Sequence, residues 1–171
     1  MEIHAYEKLW LGVALLLIVG FVATVTYGAV GAGVAMIDDD GGTVDPKSVD
    51  DHPKFGNPGV YQSGPNTYDV YVVARQFAYQ PGTTDPIVVP ANSTITFHVT
   101  SADVIHGFEV VGTNANTMAI PGQVSEFTVE VDSPDNYGIL CNEYCGSGHH
   151  VMEGKLKVVP EDQFNATQGG D

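Results

Sequence analysis

From Leu9 to Ile37 the chain carries no charged residue, a run of 29 positions. As a helix at about 1.5 Å per residue it reaches roughly 43 Å. A bilayer core needs about 20 residues. This run therefore commits residues 9–37 to a transmembrane anchor, with Trp10 and Tyr27 placed for the two interfaces. A cleaved signal peptide is the alternative reading. Its apolar core is usually about 7–15 residues, and its leader is basic, whereas this leader holds Glu2 and Glu7 against Lys8. Lys8 at the N-terminal end turns the 1–8 tip towards the cytoplasm by the positive-inside rule. The expectation is a single-pass plasma-membrane protein with its soluble part on the extracytoplasmic side.

In a chain of 171 residues, the remainder suffices for one compact domain. Its net charge of -15 argues against nucleic acid as a partner, because phosphate calls for a basic face. Residues 38–66 are rich in Asp, Gly and Pro and read as an acidic tether. From Thr67 the pattern alternates as strands do: Tyr68–Val73, Ile87–Val89, Thr94–Thr100, Val124–Val131, Tyr137–Leu140 and Lys155–Val159. Turn residues separate them, at Gln80-Pro81-Gly82, Pro90-Ala91-Asn92, Pro121-Gly122 and Ser133-Pro134-Asp135-Asn136. No helical period of useful length follows residue 37. The fold class expected for 67–161 is an all-β sandwich, with 162–171 as a tail.

Chemistry concentrates in Cys141-Asn142-Glu143-Tyr144-Cys145-Gly146-Ser147-Gly148-His149-His150-Val151-Met152. Two cysteines exclude a multi-disulfide scaffold and a four-cysteine zinc or iron–sulfur site. Thiolate and thioether are soft ligands that select copper, and imidazole suits copper too. Mononuclear blue copper uses one Cys, two His and a weak Met. Here one loop supplies Cys, His and Met, and His106 in Val104-Ile105-His106-Gly107-Phe108 is the natural second imidazole. The second cysteine changes the reading, since two sulfurs on one loop can bridge two coppers. Each copper then takes His106 or His149, Met152 is a weak ligand to one, and a backbone carbonyl can serve the other. An electron spread over two metals disturbs little geometry, which favours electron transfer over bond-making chemistry.

This loop resembles the dinuclear copper (CuA) motif of the cytochrome c oxidase subunit II family, C-x-E/Q-x-C-x-x-x-H-x-x-M. Asp103-Val104-Ile105-His106-Gly107-Phe108 is similar to that family's first-histidine segment. Gly64-Pro65-Asn66-x-Tyr68, Phe77-Ala78-Tyr79-Gln80-Pro81 and Pro121-Gly122-Gln123-Val124-Ser125 extend the likeness. The single span and short sandwich look most like the B-type branch of haem-copper oxidases. The resemblance implies a cupredoxin-like Greek-key β-sandwich behind one N-terminal transmembrane helix. It implies Cys141 and Cys145 as bridging thiolates, His106 and His149 as terminal imidazoles, Met152 as axial thioether and Glu143 as a ligand through its backbone carbonyl. It implies a subunit of an oxidoreductase with no oxygen-reducing site of its own. Electrons from a soluble or tethered donor, a cytochrome c or a blue-copper protein, would pass to haem in subunit I. Arg75 stands where close relatives carry an aromatic residue.

Plainer readings exist for several of these residues. Cys141 and Cys145 can pair as a disulfide in an exported domain. A free-standing membrane-anchored copper carrier is the alternative function, and the second cysteine argues against it. His98, on the polar face of its strand, reads as a surface histidine. His150 points away from whatever His149 faces. Met36 and Met118 read as packing or membrane residues. The acidity reads as either a docking face for a basic donor or, preferred here, adaptation to high salt.

Overall fold

The computed structural model describes residues 4–31, 37–38 and 41–165. Parts of the expected tip, anchor, tether and tail, including Met36, lie outside these residues. The chain divides into two units, Met1–Val34 and Ala35–Asp171.

In the first unit, helix α1 spans Ala5–Thr26 and runs on through a π-helical turn at Tyr27–Gly31. His4 and Glu7 close its N-terminus as a capping box, satisfying backbone N–H groups that a helix start leaves without partners. From Ala5 to Val30 the mean hydropathy reaches 2.4. Large apolar side chains project on every side, among them Leu9, Trp10, Leu16 and Phe21. A helix apolar all round needs an apolar surrounding. This one is long and apolar enough to cross a membrane.

The second unit holds strands β1 (Ile37–Asp38), β2 (Val60–Gly64), β3 (Thr67–Arg75), β4 (Ala78–Gln80), β5 (Ile87–Pro90) and β6 (Ser93–Ser101). It continues with β7 (His106–Val110), β8 (Asn116–Ala119), β9 (Ser125–Val131), β10 (Asp135–Leu140) and β11 (Glu153–Val159). One sheet orders β1-β9-β6-β3-β2, with β4 paired to β3; the other orders β5-β11-β10-β7-β8. The chain changes sheet at β5, β6, β7, β9 and β10, which is how a Greek-key sandwich is wound. β3 with β6 and β5 with β11 are parallel, and the other pairs antiparallel.

Period-2 patterning builds the core between the sheets. On β6, Ile95, Phe97 and Val99 are buried while Thr94, Thr96 and His98 are half-buried on the other face. β11 buries Leu156 and Val158 and exposes Lys155 and Lys157. Phe97 stacks on Phe127 with centroids 5.0 Å apart, and Phe108 reaches Phe97 across the layer at 5.7 Å.

Several expectations need correction. Within the expected tether, Val49 and Phe55 are each 2% exposed and pack with Val44, Val73 and Val124. Val60–Gly64 is a sheet strand on β3. Few apolar residues occur there, but they cover the outer side of β3, which would otherwise leave Val73 in water. His52 braces the turn, its Nδ1 accepting from the Lys54 and Phe55 N–H groups. Arg75 pairs with Asp50 across this cover. Asp135 and Asn136, read as turn residues, are strand residues opposite Val158 and Lys157. β1, β4 and β8 were not foreseen, because two to four residues carry almost no period. His98 is less exposed than a surface histidine. It stacks on Tyr71 at 4.5 Å, and its Nδ1 lies 3.1 Å from Glu126 Oε2.

Candidate metal centre

Strand register brings the two motifs together. β7 and β10 are antiparallel, with Leu140 opposite Glu109. Beyond that pair the loop after β10 runs alongside the start of β7. Asn142 therefore faces Gly107, where any side chain would collide with it. Asn142 Nδ2 donates to Glu109 Oε2 at 3.1 Å and to Asn116 Oδ1 at 3.2 Å. The loop from Cys141 to Met152 is thus pinned over β7 and β8.

His106 is fully buried at the first position of β7. Its Nε2 lies 2.8 Å from Asp103 Oδ1. A carboxylate accepts, so Nε2 carries the proton and Nδ1 presents its lone pair. That Nδ1 is buried with no hydrogen-bond partner. An orphaned buried acceptor is costly, and a metal ion would satisfy it. Burial raises the Asp103 pKa, but hydrogen bonds from His106 and from the Gln76 and Val104 N–H groups outweigh it and hold this carboxyl below its ordinary value.

Ligand atoms of His106, Cys141 and Cys145 all lie within 4.8 Å of one another, and all three residues are buried. The two sulfurs stand 3.8 Å apart, against about 2.05 Å for a disulfide. Both thiols are free. At a metal–thiolate bond of about 2.3 Å, the zinc value, one ion can touch both sulfurs. Cys141 Sγ lies 3.1 Å from the Glu143 carbonyl oxygen. Cys145 Sγ lies 3.7 Å from His149 Nδ1 and 3.7 Å from Met152 Sδ. All six residues singled out by sequence therefore converge on one pair of sulfurs. His150 is exposed, on the turn His149–Val151.

Burial pushes the Cys145 thiol up to about 11, and the neighbouring Cys141 adds to it. Metal entry must therefore displace protons. Burial likewise raises the Tyr79 hydroxyl, which stays a neutral donor to the Gly107 carbonyl beside His106. Phe77 lies over the loop at Gly146 and Gly148, where an added Cβ would run into its ring. Gln76, Asp103 and Asn142 are contacts the sequence reading did not assign. Asp103 and Asn142 lie inside the quoted motifs, and that position was the available signal.

The donor set fits a copper centre, being two soft thiolates, two imidazoles, a thioether and a carbonyl gathered at two buried sulfurs. A family model described as cytochrome c oxidase subunit II, periplasmic domain, matches residues 67–159. This chain belongs to that family. It is 42% identical over 165 residues to cytochrome c oxidase subunit 2 of Thermus thermophilus, covering 91% of this chain and 93% of that protein. Among solved structures, it matches a chain of a heme-copper terminal oxidase dimer with TM-score 0.69 and 32% identity, covering 90% of this chain and 99% of that one. The periplasmic domain of subunit II of the Bradyrhizobium japonicum cytochrome oxidase matches in fold, with TM-score 0.52 and 24% identity over 56% of this chain and 86% of that one. The sandwich of this subunit II chain is thus cupredoxin-like, as the sequence resemblance implied.

Proposed function

We propose that this subunit II chain holds a dinuclear copper centre that takes electrons one at a time and passes them to haem in a catalytic subunit I. The family is the electron-accepting subunit of haem-copper oxidases, an oxidoreductase complex that this chain enters as a part. The observation that carries the dinuclear reading is the pair of free, buried sulfurs 3.8 Å apart, with His106 within 4.8 Å of both and His149 3.7 Å from Cys145. Cys141, Cys145, His106 and His149 would hold the metals, the two thiolates being close enough to be shared between them. Met152 and the Glu143 carbonyl are the weak ligands. Copper bound there would supply a one-electron couple. The protein keeps water out through Phe77 and Tyr79 and sets the His106 tautomer through Asp103.

The apolar helix anchors the chain in the plasma membrane in a single pass, with residues 67–161 outside the cytoplasm. One apolar helix ahead of the sandwich, among the described residues, supports the B-type branch. The donor is a cytochrome c or a blue-copper protein, soluble or tethered. The assignment is tested by copper per chain and the paramagnetic resonance spectrum of the full-length protein in detergent. Two coppers sharing one electron equally are expected. One copper with single-nucleus hyperfine structure would overturn the dinuclear reading in favour of a free-standing carrier.

A further inference from the structure

The turn between β3 and β4 touches both ligand segments through one residue. The backbone N–H of Gln76 donates to Asp103 Oδ2 at 2.7 Å, and Asp103 Oδ1 holds His106. The Gln76 side chain reaches the other way, Nε2 donating to the carbonyl oxygen of Cys145. That carbonyl belongs to the peptide joining Cys145 to Gly146, so its direction is tied to the direction in which the Cys145 thiolate leaves the backbone. Gly146 is shaped to admit the amide. Its φ is +129°, and a Cβ there would lie 2.9 Å from Gln76 Nε2.

We infer that Gln76 is a positioning residue for the copper centre, holding the Cys145 peptide in fixed relation to the Asp103–His106 pair. The inference rests on the dinuclear reading above. The Gln76 bond spans two otherwise separate loops, so it resists the loop movement that adding or removing an electron would drive. Gln76 itself is exposed and contributes nothing to the hydrophobic core. Substituting it leaves the packing alone, and a change at the metals then reports the hydrogen bond. Arrangements that orient metal ligands from outside typically alter affinity or activity by about 10–100-fold when removed.

The test uses the full-length chain in detergent, with Gln76→Glu and Gln76→Met. Both keep the side-chain length and lose the N–H donor, and only Gln76→Glu adds charge. Copper per chain and the resonance spectrum of the parent are recorded first. In both variants we expect about 10-fold faster copper release to a chelator, together with a displaced visible spectrum and reduction potential. Thermal unfolding of the metal-free protein should be unchanged. Parent-like release, spectrum and potential in both variants would overturn the inference. So would equal destabilisation of the metal-free protein, which would mark a structural role only. A parent lacking two coppers is a different failure, since it removes the dinuclear reading and this inference with it.

Discussion

At the residue scale, the two cysteines are chemically alike but not interchangeable. Cys141 Sγ faces the Glu143 carbonyl, whereas Cys145 Sγ faces His149 and Met152. Replacing either by Ser leaves one thiolate where the proposed centre uses two. Cys141→Ser and Cys145→Ser are each expected to lose the shared-electron resonance signal, and an unchanged visible spectrum would refute bridging. Met152 should behave differently, because an axial thioether tunes the metal more than it holds it. Met152→Leu is expected to keep two coppers per chain and shift the reduction potential. Loss of both metals would count against that role. Asp103 gives a pH signature in the metal-free protein. Its folded pKa lies below its ordinary value, so its contribution is present at neutral pH. That contribution is lost as pH falls through the folded value, where the native carboxylate takes up its proton. Asp103→Asn should flatten the acid side of the stability profile, and denaturant midpoints from neutral to acidic pH would show whether it does.

At the element scale, the β3–β4 turn and the stretch before β2 matter more than their lengths suggest. Phe77 occupies the space above Gly148, so Gly148→Ala forces the ring or the ligand loop to move. Overpacking of this kind costs about 1–3 kcal/mol. A lower unfolding midpoint and weaker copper retention are expected, and a variant matching the parent in both would show that the ring yields freely. The segment before β2 packs Phe55 at 2% exposure against the outer side of the sheet. Phe55→Ala should cost about 3–5 kcal/mol, as core Phe truncations do. A plain tether would lose nothing, so denaturant unfolding separates the two descriptions. Strands β3, β6, β9 and β11 were legible because each is seven to nine residues long and alternates over most of that length. β8 was not, because a four-residue strand shows too little period to read.

At the scale of the whole molecule, the charge is the unusual property. With 21 acidic and 6 basic residues, the chain repels itself at low ionic strength. We propose salt adaptation as the meaning of this excess. The unfolding midpoint should rise from low to molar salt, and a midpoint that stays flat would favour the docking reading. In that case the salt dependence of electron uptake from a basic donor would carry the signal.

The residues decided the chemistry without help from the fold. Ligand type and order, Cys141 to Met152 with His106 upstream, are properties of a chain, and their softness favours copper where those side chains meet. Most of the uncharged run likewise fixes a membrane-length helix, because length and apolarity are one-dimensional quantities. Its last residue, Ile37, pairs as a strand with Phe127 and so falls outside the expected 9–37 anchor. What only the tertiary structure decided is how those ligands meet. The β7–β10 register places His106 against a loop that begins 35 positions later. The pairing of Gln76 with Cys145, Asp103 with His106, and Phe55 with the outer sheet face depends on contacts between distant segments. Such contacts have no period and no fixed spacing, so they exist only once strand pairing and core burial have set the backbone in three dimensions.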